Sequence, residues 1–413
     1  MVGTMTNTPH IDTEVIVVGA RCAGAATAML LARQGFDVLV VDRAVFPSDT
    51  LSTHAIARGG VVQLARWGLL DAVLESGAPP IREVTFHLGD DVTLRKAIKE
   101  RAGVDHLVAP RRHVLDTLLV QAAVQAGARF ESGVTVTGVL RHPGGRVVGV
   151  TVRDADGSVR EIHARLVIGA DGVRSRIARA VGAGMLDERP SDAAAHYVYV
   201  AGLEADGFEF HLGGTGFAGV FPTNDGEANV WICHPADHGA LGGTGRPGGG
   251  PSASARTQAF LDLLAEAAPS LARRVELAQI TSVVRGAVRF PNHVRVATGP
   301  GWALVGDAGY HRDPITGHGI TDAFRDAELL ASHLGRALAG EVAEADALAG
   351  YAADRHAALA PIFDLTCRLA AFPPASEFAA LQKELSALID AEALWLAGMP
   401  PLAPRPDAAL VPA

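Results

Sequence analysis

A chain of 413 residues with 48% hydrophobic content can build a sizeable core and ordinarily divides into two domains, with no need of disulfide or metal staples. Its net charge of −9 and three lysines, Lys96, Lys99 and Lys383, exclude the broad basic surface that nucleic-acid binding uses. Cys22, Cys233 and Cys367 stand far apart in no metal or disulfide pattern, and the first fourteen residues lack an export leader, so a cytoplasmic protein without stable membrane insertion is expected.

The first predicted elements form a strand, tight turn, helix and second strand. Glu14 to Val18 is an apolar run ending at Gly19, Ala23 to Arg33 has a helical pattern, and Phe36 to Val41 resumes as a strand that stops at Asp42. Between them, "GARCAG" almost spells the dinucleotide fingerprint, with Gly19 and Gly24 in register and Arg21 in place of the middle glycine. Cys22 and Ala23 stand where this helix begins, and its amino end suits a phosphate.

Arg21 gives up minimal bulk but adds a planar set of donors, so three roles stand open: a phosphate clamp, a residue reaching toward substrate or nicotinamide, or a solvent-facing substitution. Asp42, followed by Arg43, stands where a carboxylate can accept the hydroxyls of an unphosphorylated adenosine ribose such as that of FAD. Cys22 beside Arg21 could gain thiolate character, but a small buried residue is its ordinary reading.

Further along, "RRHVLDTLL" opens a predicted helix over Leu115 to Ala126, and three runs from Val134 to Ile168 read as a small antiparallel meander. "LVIGADGVRSRIAR" is a strand ending at Gly169, followed by Asp171 at a turn into a helix. From His196 to Pro235, alternating aromatic and apolar segments predict a second, mainly antiparallel sheet. The glycine-rich stretch from Gly239 to Ala255 reads as a mobile loop, and a helix from Ala255 should break at Pro269.

"LVGDAGYHRDPITGHGITDAF" then repeats the strand-to-helix design, with Asp307 after the strand, Pro314 in the connection, and Gly317, His318, Gly319 and Ile320 entering a helix to Leu338. Asp307 can hold the ribityl hydroxyls of a flavin, and the amides near Gly317 to Thr321 can face the N1 edge of its ring, where reduction places negative charge. His311 and His318 lie inside this motif, and His54 lies in "SDTLSTHAIARGG" beside Ser52 and Thr53; each is a candidate proton-transfer residue, with a structural hydrogen-bond role as the plainer alternative. The histidines and cysteines form no metal motif, so no metal is expected.

These three stretches, "VVGARCAGAA", "VIGADGVRSR" and "GDAGYHRDPITGHG", resemble in order and spacing the nucleotide, Asp-Gly and Gly-Asp motifs of the class A flavoprotein monooxygenases, the family of para-hydroxybenzoate hydroxylase and the phenol and polyketide hydroxylases. The resemblance implies an α/β fold: a Rossmann-like ββα FAD domain, an interleaved antiparallel substrate sheet and C-terminal helices. It divides the chain into FAD segments at 13–75, 103–185 and 287–340, substrate segments at 76–102 and 186–286, a helical region at 341–398 and a flexible tail at 399–413.

It also implies FAD reduced by NADH or NADPH, and molecular oxygen used through a flavin C4a-hydroperoxide to hydroxylate an electron-rich, aromatic or phenolic small molecule. Arg112 would contact the pyrophosphate, Asp171 would serve flavin or nicotinamide, and Pro314 would line the region where oxygen reacts. Tyr310 departs from the commoner histidine of "GDAAH". A flavin-dependent halogenase, a prenyl-chain reductase and a non-enzymatic flavin-binding protein stand as alternatives, although the halogenase W-x-W-x-I-P motif is missing.

Overall fold

The structure is a computed structural model, which describes residues 11–89, 92–213, 216–238, 241 and 252–405. Most of the glycine-rich loop expected from Gly239 to Ala255, and the last part of the expected tail, lie outside the described residues.

Strand Thr13–Val18 is buried almost throughout, as a strand flanked on both faces must be. It pairs in parallel with Val38–Asp42 on one side and with Val159–Gly169 on the other. Arg129–Ser132 and Trp302–Leu304 extend this sheet outward, both in parallel. Helices Cys22–Arg33, Arg112–Gln125 and Gly319–Leu338 pack on one face through Ala25, Met29, Leu119, Phe324 and Leu330. The antiparallel meander Thr135–Arg141, Val147–Arg153 and Val159–Gly169 covers the other with Val136, Val150 and Ile162, which completes a ββα three-layer domain.

The second sheet runs in the order Gln279–Ile280, Ala193–Ala201, Glu227–Pro235, Gly216–Pro222, Phe208–Gly213, Glu83–Leu88 and Val92–Ala97. It is antiparallel except where Phe208–Gly213 meets Glu83–Leu88. Period-two alternation sends successive side chains to opposite faces. Val198, Val200, Val230 and Ile232 pack under helices Ala253–Ala267 and Pro269–Glu276. Tyr197, Tyr199, Phe217 and Trp231 face the other way, toward Leu369, Phe378 and Leu381 of the C-terminal helices Glu344–Ala370 and Ala375–Ala397.

A small sheet of Met185–Arg189, Asn292–Arg295 and Tyr310–His311 joins the two halves beside the Gly-Asp motif. The beginning of the expected tail is tied down: Arg405 donates to the Gln34 carbonyl through its backbone, pairs with Glu14 at 3.1 Å and stacks over Phe36. No helix among the described residues is long and apolar enough to cross a membrane.

Candidate functional site

The turn after the first strand needs its two glycines for steric reasons. Gly19 has φ +104°, and a methyl group on it would lie 2.4 Å from the Ala170 carbonyl oxygen. One on Gly24 would lie 1.8 Å from the Gly19 oxygen and 3.0 Å from the Ala170 Cβ. Helix Cys22–Arg33 therefore starts hard against the strand ends, with Arg21 as its cap residue and no side chain bonding to its first amides. Asp42 fixes the adjoining turn, accepting the Ala20 amide on one oxygen and the Ala44 amide on the other, both at 2.7 Å.

These turns open onto one cavity of about 1050 Å³. Gly19, Arg21, Cys22 and Ala23 line it with Asp42, Arg43 and Arg112. Asp171 reaches it from the end of Val159–Gly169, and Asp307, Pro314, Gly317, His318, Gly319 and Ile320 from the Gly-Asp motif. The structure thus brings the three sequence motifs together at the carboxyl ends of a parallel sheet, where such folds place ligands. Gly24 does not line the cavity; it is the packing glycine beneath it.

Several residues do something other than the sequence suggests. Arg21 is engaged within the protein where it lines the cavity: it pairs with Asp116 at 2.8 Å, donates to Ser48 and to the Asp49 carbonyl, and lies over the Phe46 ring. Arg112 grips the same buried Asp116 at 2.9 Å, and the Cys22 thiol donates to it at 3.2 Å. Burial pushes the Cys22 thiol well up, with Asp116 adding to the effect against the two arginines, so Cys22 is a neutral thiol. Asp171 caps helix Arg176–Val181, accepting the Arg176 and Ile177 amides at 2.6 and 3.2 Å and the Ser175 hydroxyl.

Asp307 differs from these acids. Its carboxylate is exposed at the cavity and has no hydrogen-bond or ion-pair partner among the described residues. Nearby, Asp313 braces the proline turn by accepting the Ile315 amide at 3.0 Å and the Ser191 hydroxyl at 2.8 Å. Gly317 then takes φ +62°, and a methyl group on either Gly317 or Gly319 would meet no protein atom within 4 Å.

The three candidate histidines separate. His311 lines the cavity at its rim, stacked near Phe290 and His293 and bonded to the Pro291 carbonyl. His54 does not line it: the ring is fully buried at φ +70°, stacked on Tyr199 with a very short contact to the Tyr199 hydroxyl. Burial and then the neighbouring Arg112 and Arg111 lower its pKa well below the usual range, so it is neutral. The His318 imidazole is wholly buried and contacts Glu392 at 2.5 Å, which removes it as a direct proton donor to a ligand.

Sequence reasoning missed Asp116, Glu392 and the buried run Asp322, Arg325 and Asp326. The one available signal was Asp116 standing four residues after Arg112 in an otherwise apolar helix. Among the described residues, two histidine–carboxylate groups come within ligand distance, His87 with Glu209 and His211, and His318 with Asp322 and Glu392. Their carboxylates are already paired, Glu209 with Arg274 and the other two with Arg325.

The model of a family described as "FAD binding domain" matches residues 12–366. The chain is 30% identical over 323 residues to digeranylgeranylglycerophospholipid reductase 2 of Methanopyrus kandleri, covering 75% of this chain and 74% of that protein. It is 30% identical over 338 residues to the menaquinone reductase of Mycobacterium tuberculosis, covering 78% and 76%. Among solved structures, a triple variant of the flavin-dependent brominase Bmp2 superposes with a TM-score of 0.77 at 18% identity, over 94% of this chain and 96% of that one.

The residues present fit the cofactor this family is named for: two glycines that keep a phosphate turn clear, a helix amino end at the cavity and an unpartnered carboxylate at Asp307. The chain belongs to the FAD-binding domain family, in the class A flavoprotein fold that monooxygenases and halogenases share.

Proposed function

We propose that this protein is a flavin-dependent reductase that saturates a carbon–carbon double bond in the isoprenoid chain of a lipid-like molecule, with NADH or NADPH as reductant. The observation that carries this reading is that two relatives, each 30% identical over about three quarters of the chain, are both reductases named for isoprenoid-bearing lipids. The brominase likeness, at 18% identity, speaks for the fold alone. This reading replaces the hydroxylation expected from the motif resemblance with the reductase alternative.

The cavity supports it. Its wall carries apolar side chains, Ala195, Ala287, Val288, Phe290, Pro291 and the exposed Leu51 and Met185, set among the polar Arg289, His293 and Arg295. Such a surface suits a hydrocarbon chain. Bound FAD would supply hydride transfer from nicotinamide to substrate. Asp42 would hold the adenosine ribose, Arg112 the pyrophosphate and Asp307 the ribityl chain, with the Gly317–Ile320 backbone at the ring.

Asp307→Ala is expected to weaken FAD binding by about 1.5–3 kcal/mol, the usual worth of hydrogen bonds to a charged group. Fluorescence titration of cofactor-free protein with FAD measures this, and an unchanged affinity removes Asp307 from the site.

One observation favours a second reading, aromatic hydroxylation. Tyr197 lines the cavity and is backed by Tyr199 and His54, a set of hydroxyls and an imidazole suited to a phenolic substrate. Turnover of a prenylated lipid under isotopically heavy oxygen separates the two. The reductase product gains two hydrogens and no label, whereas a labelled oxygen in the product establishes the hydroxylase instead.

A further inference from the structure

A buried ionic cluster lies behind the turn that carries Gly317 and Gly319. Arg312, Arg325 and Arg355 supply its fixed positive charges, and Asp322, Asp326 and Glu392 its negative ones. Asp322 takes Arg312 at 2.6 Å and Arg325 at 2.7 Å, while Asp326 takes Arg325 at 3.0 Å and the Gly306 amide at 3.3 Å. Glu392 takes Arg325 at 3.0 Å and His318 at 2.5 Å. The cluster therefore ties the Gly-Asp strand end, the proline turn and the start of helix Gly319–Leu338 to helix Ala375–Ala397.

The fixed charges cancel, and the His318 imidazole joins them through Glu392. The groups facing it are Asp322 and Arg325 on its own helix, Arg312 before the turn and Glu392 on helix Ala375–Ala397; Arg58, on helix Arg58–Arg66, is held by Asp390. Its Nδ1 is buried without a partner among the described residues. Burial alone would raise the Glu392 carboxyl, but His318 and Arg325 hold it down at about 2, so Glu392 is a constant anion against the imidazole. It also lies outside residues 12–366, the span that the family model matches.

We propose that Glu392 is a positioning residue that holds His318 as the charged imidazolium behind the Gly317–Gly319 turn, so that bound flavin is easier to reduce. This rests on the reading that the cavity holds FAD. Reduction adds negative charge to the flavin, and a fixed cation behind the turn favours the reduced state over the oxidised one.

Two readouts test it. In cofactor-free protein, nitrogen NMR of labelled histidines at neutral pH should show His318 as imidazolium in the wild type and neutral in Glu392→Gln. In the holoprotein, Glu392→Gln should weaken binding of reduced relative to oxidised FAD about tenfold, a fall in two-electron midpoint potential of about 30 mV. His318→Gln, which keeps a donor for Glu392 but cannot titrate, should give the same fall and serves if Glu392→Gln does not fold. A neutral wild-type His318, or coinciding potentials in the wild type and these variants, overturns the proposal. Failure of the wild type to take up FAD overturns the cofactor reading instead, and the NMR result still decides the pair.

Discussion

Asp322→Ala should lower the stability of the cofactor-free protein by about 3–5 kcal/mol, the cost of breaking a buried ion pair from one side. Asp322 is 4% exposed, and it is the shared acceptor of Arg312 and Arg325, themselves almost wholly buried. Burial raises the Asp322 pKa, but the two guanidiniums outweigh that and hold the carboxyl below its usual range. Removing it leaves Arg312 buried without a carboxylate among the described residues and facing Arg325, which keeps Asp326 and Glu392. Arg312 stands two residues before Pro314, so a shift there carries the flavin-side turn with it, and FAD retention should fall in parallel. Urea denaturation of the purified variant measures the first effect; a loss below about 1 kcal/mol, the range of a surface ion pair, would show that the cluster carries little stability.

Gly24→Ala should abolish stable FAD retention. The added carbon would meet the Gly19 carbonyl oxygen at 1.8 Å and that carbonyl carbon at 2.9 Å, both backbone atoms with no rotamer by which to withdraw. Relief requires helix Cys22–Arg33 to move off the sheet, which displaces the amino end that a diphosphate would use. Overpacking of this kind costs about 1–3 kcal/mol and occasionally more, equivalent to roughly fivefold to 150-fold weakening if it falls on binding. Gly68→Ala is the control: Gly68 has φ +71° but open space around it, so that change should cost backbone strain only and leave FAD binding intact. Equal FAD affinity in Gly24→Ala and wild type would contradict the steric account.

The parts of the site that sequence made legible are those set by local geometry. Gly19, Asp42, Asp307 and Gly317 each sit at a strand end or at the start of a helix, where short-range spacing dictates backbone shape. The same applies to the sheet-forming runs, whose alternation separates Tyr197 and Tyr199 from Val198 and Val200.

What stayed hidden depends on contacts made across the chain. Arg21 meets Asp116 95 positions away, and His318 meets Glu392 74 positions away, so neither spacing nor periodicity could show that these side chains are already engaged. Spacing alone does not distinguish Asp322, Arg325 and Asp326 from a solvated helix face. Burial on every side by neighbouring helices converts them into an internal network instead. His54 was equally opaque, because its exclusion from the cavity follows from a left-handed backbone and a stack on Tyr199.

Anaerobic mixing of NAD(P)H-reduced holoprotein with a prenylated lipid tests most directly the claim that this cavity serves alkene reduction. Return of oxidised-flavin absorbance without oxygen, together with a product two hydrogens heavier than the lipid, is the result expected of a reductase. Flavin that stays reduced under every such lipid and reoxidises only when oxygen is admitted would contradict it.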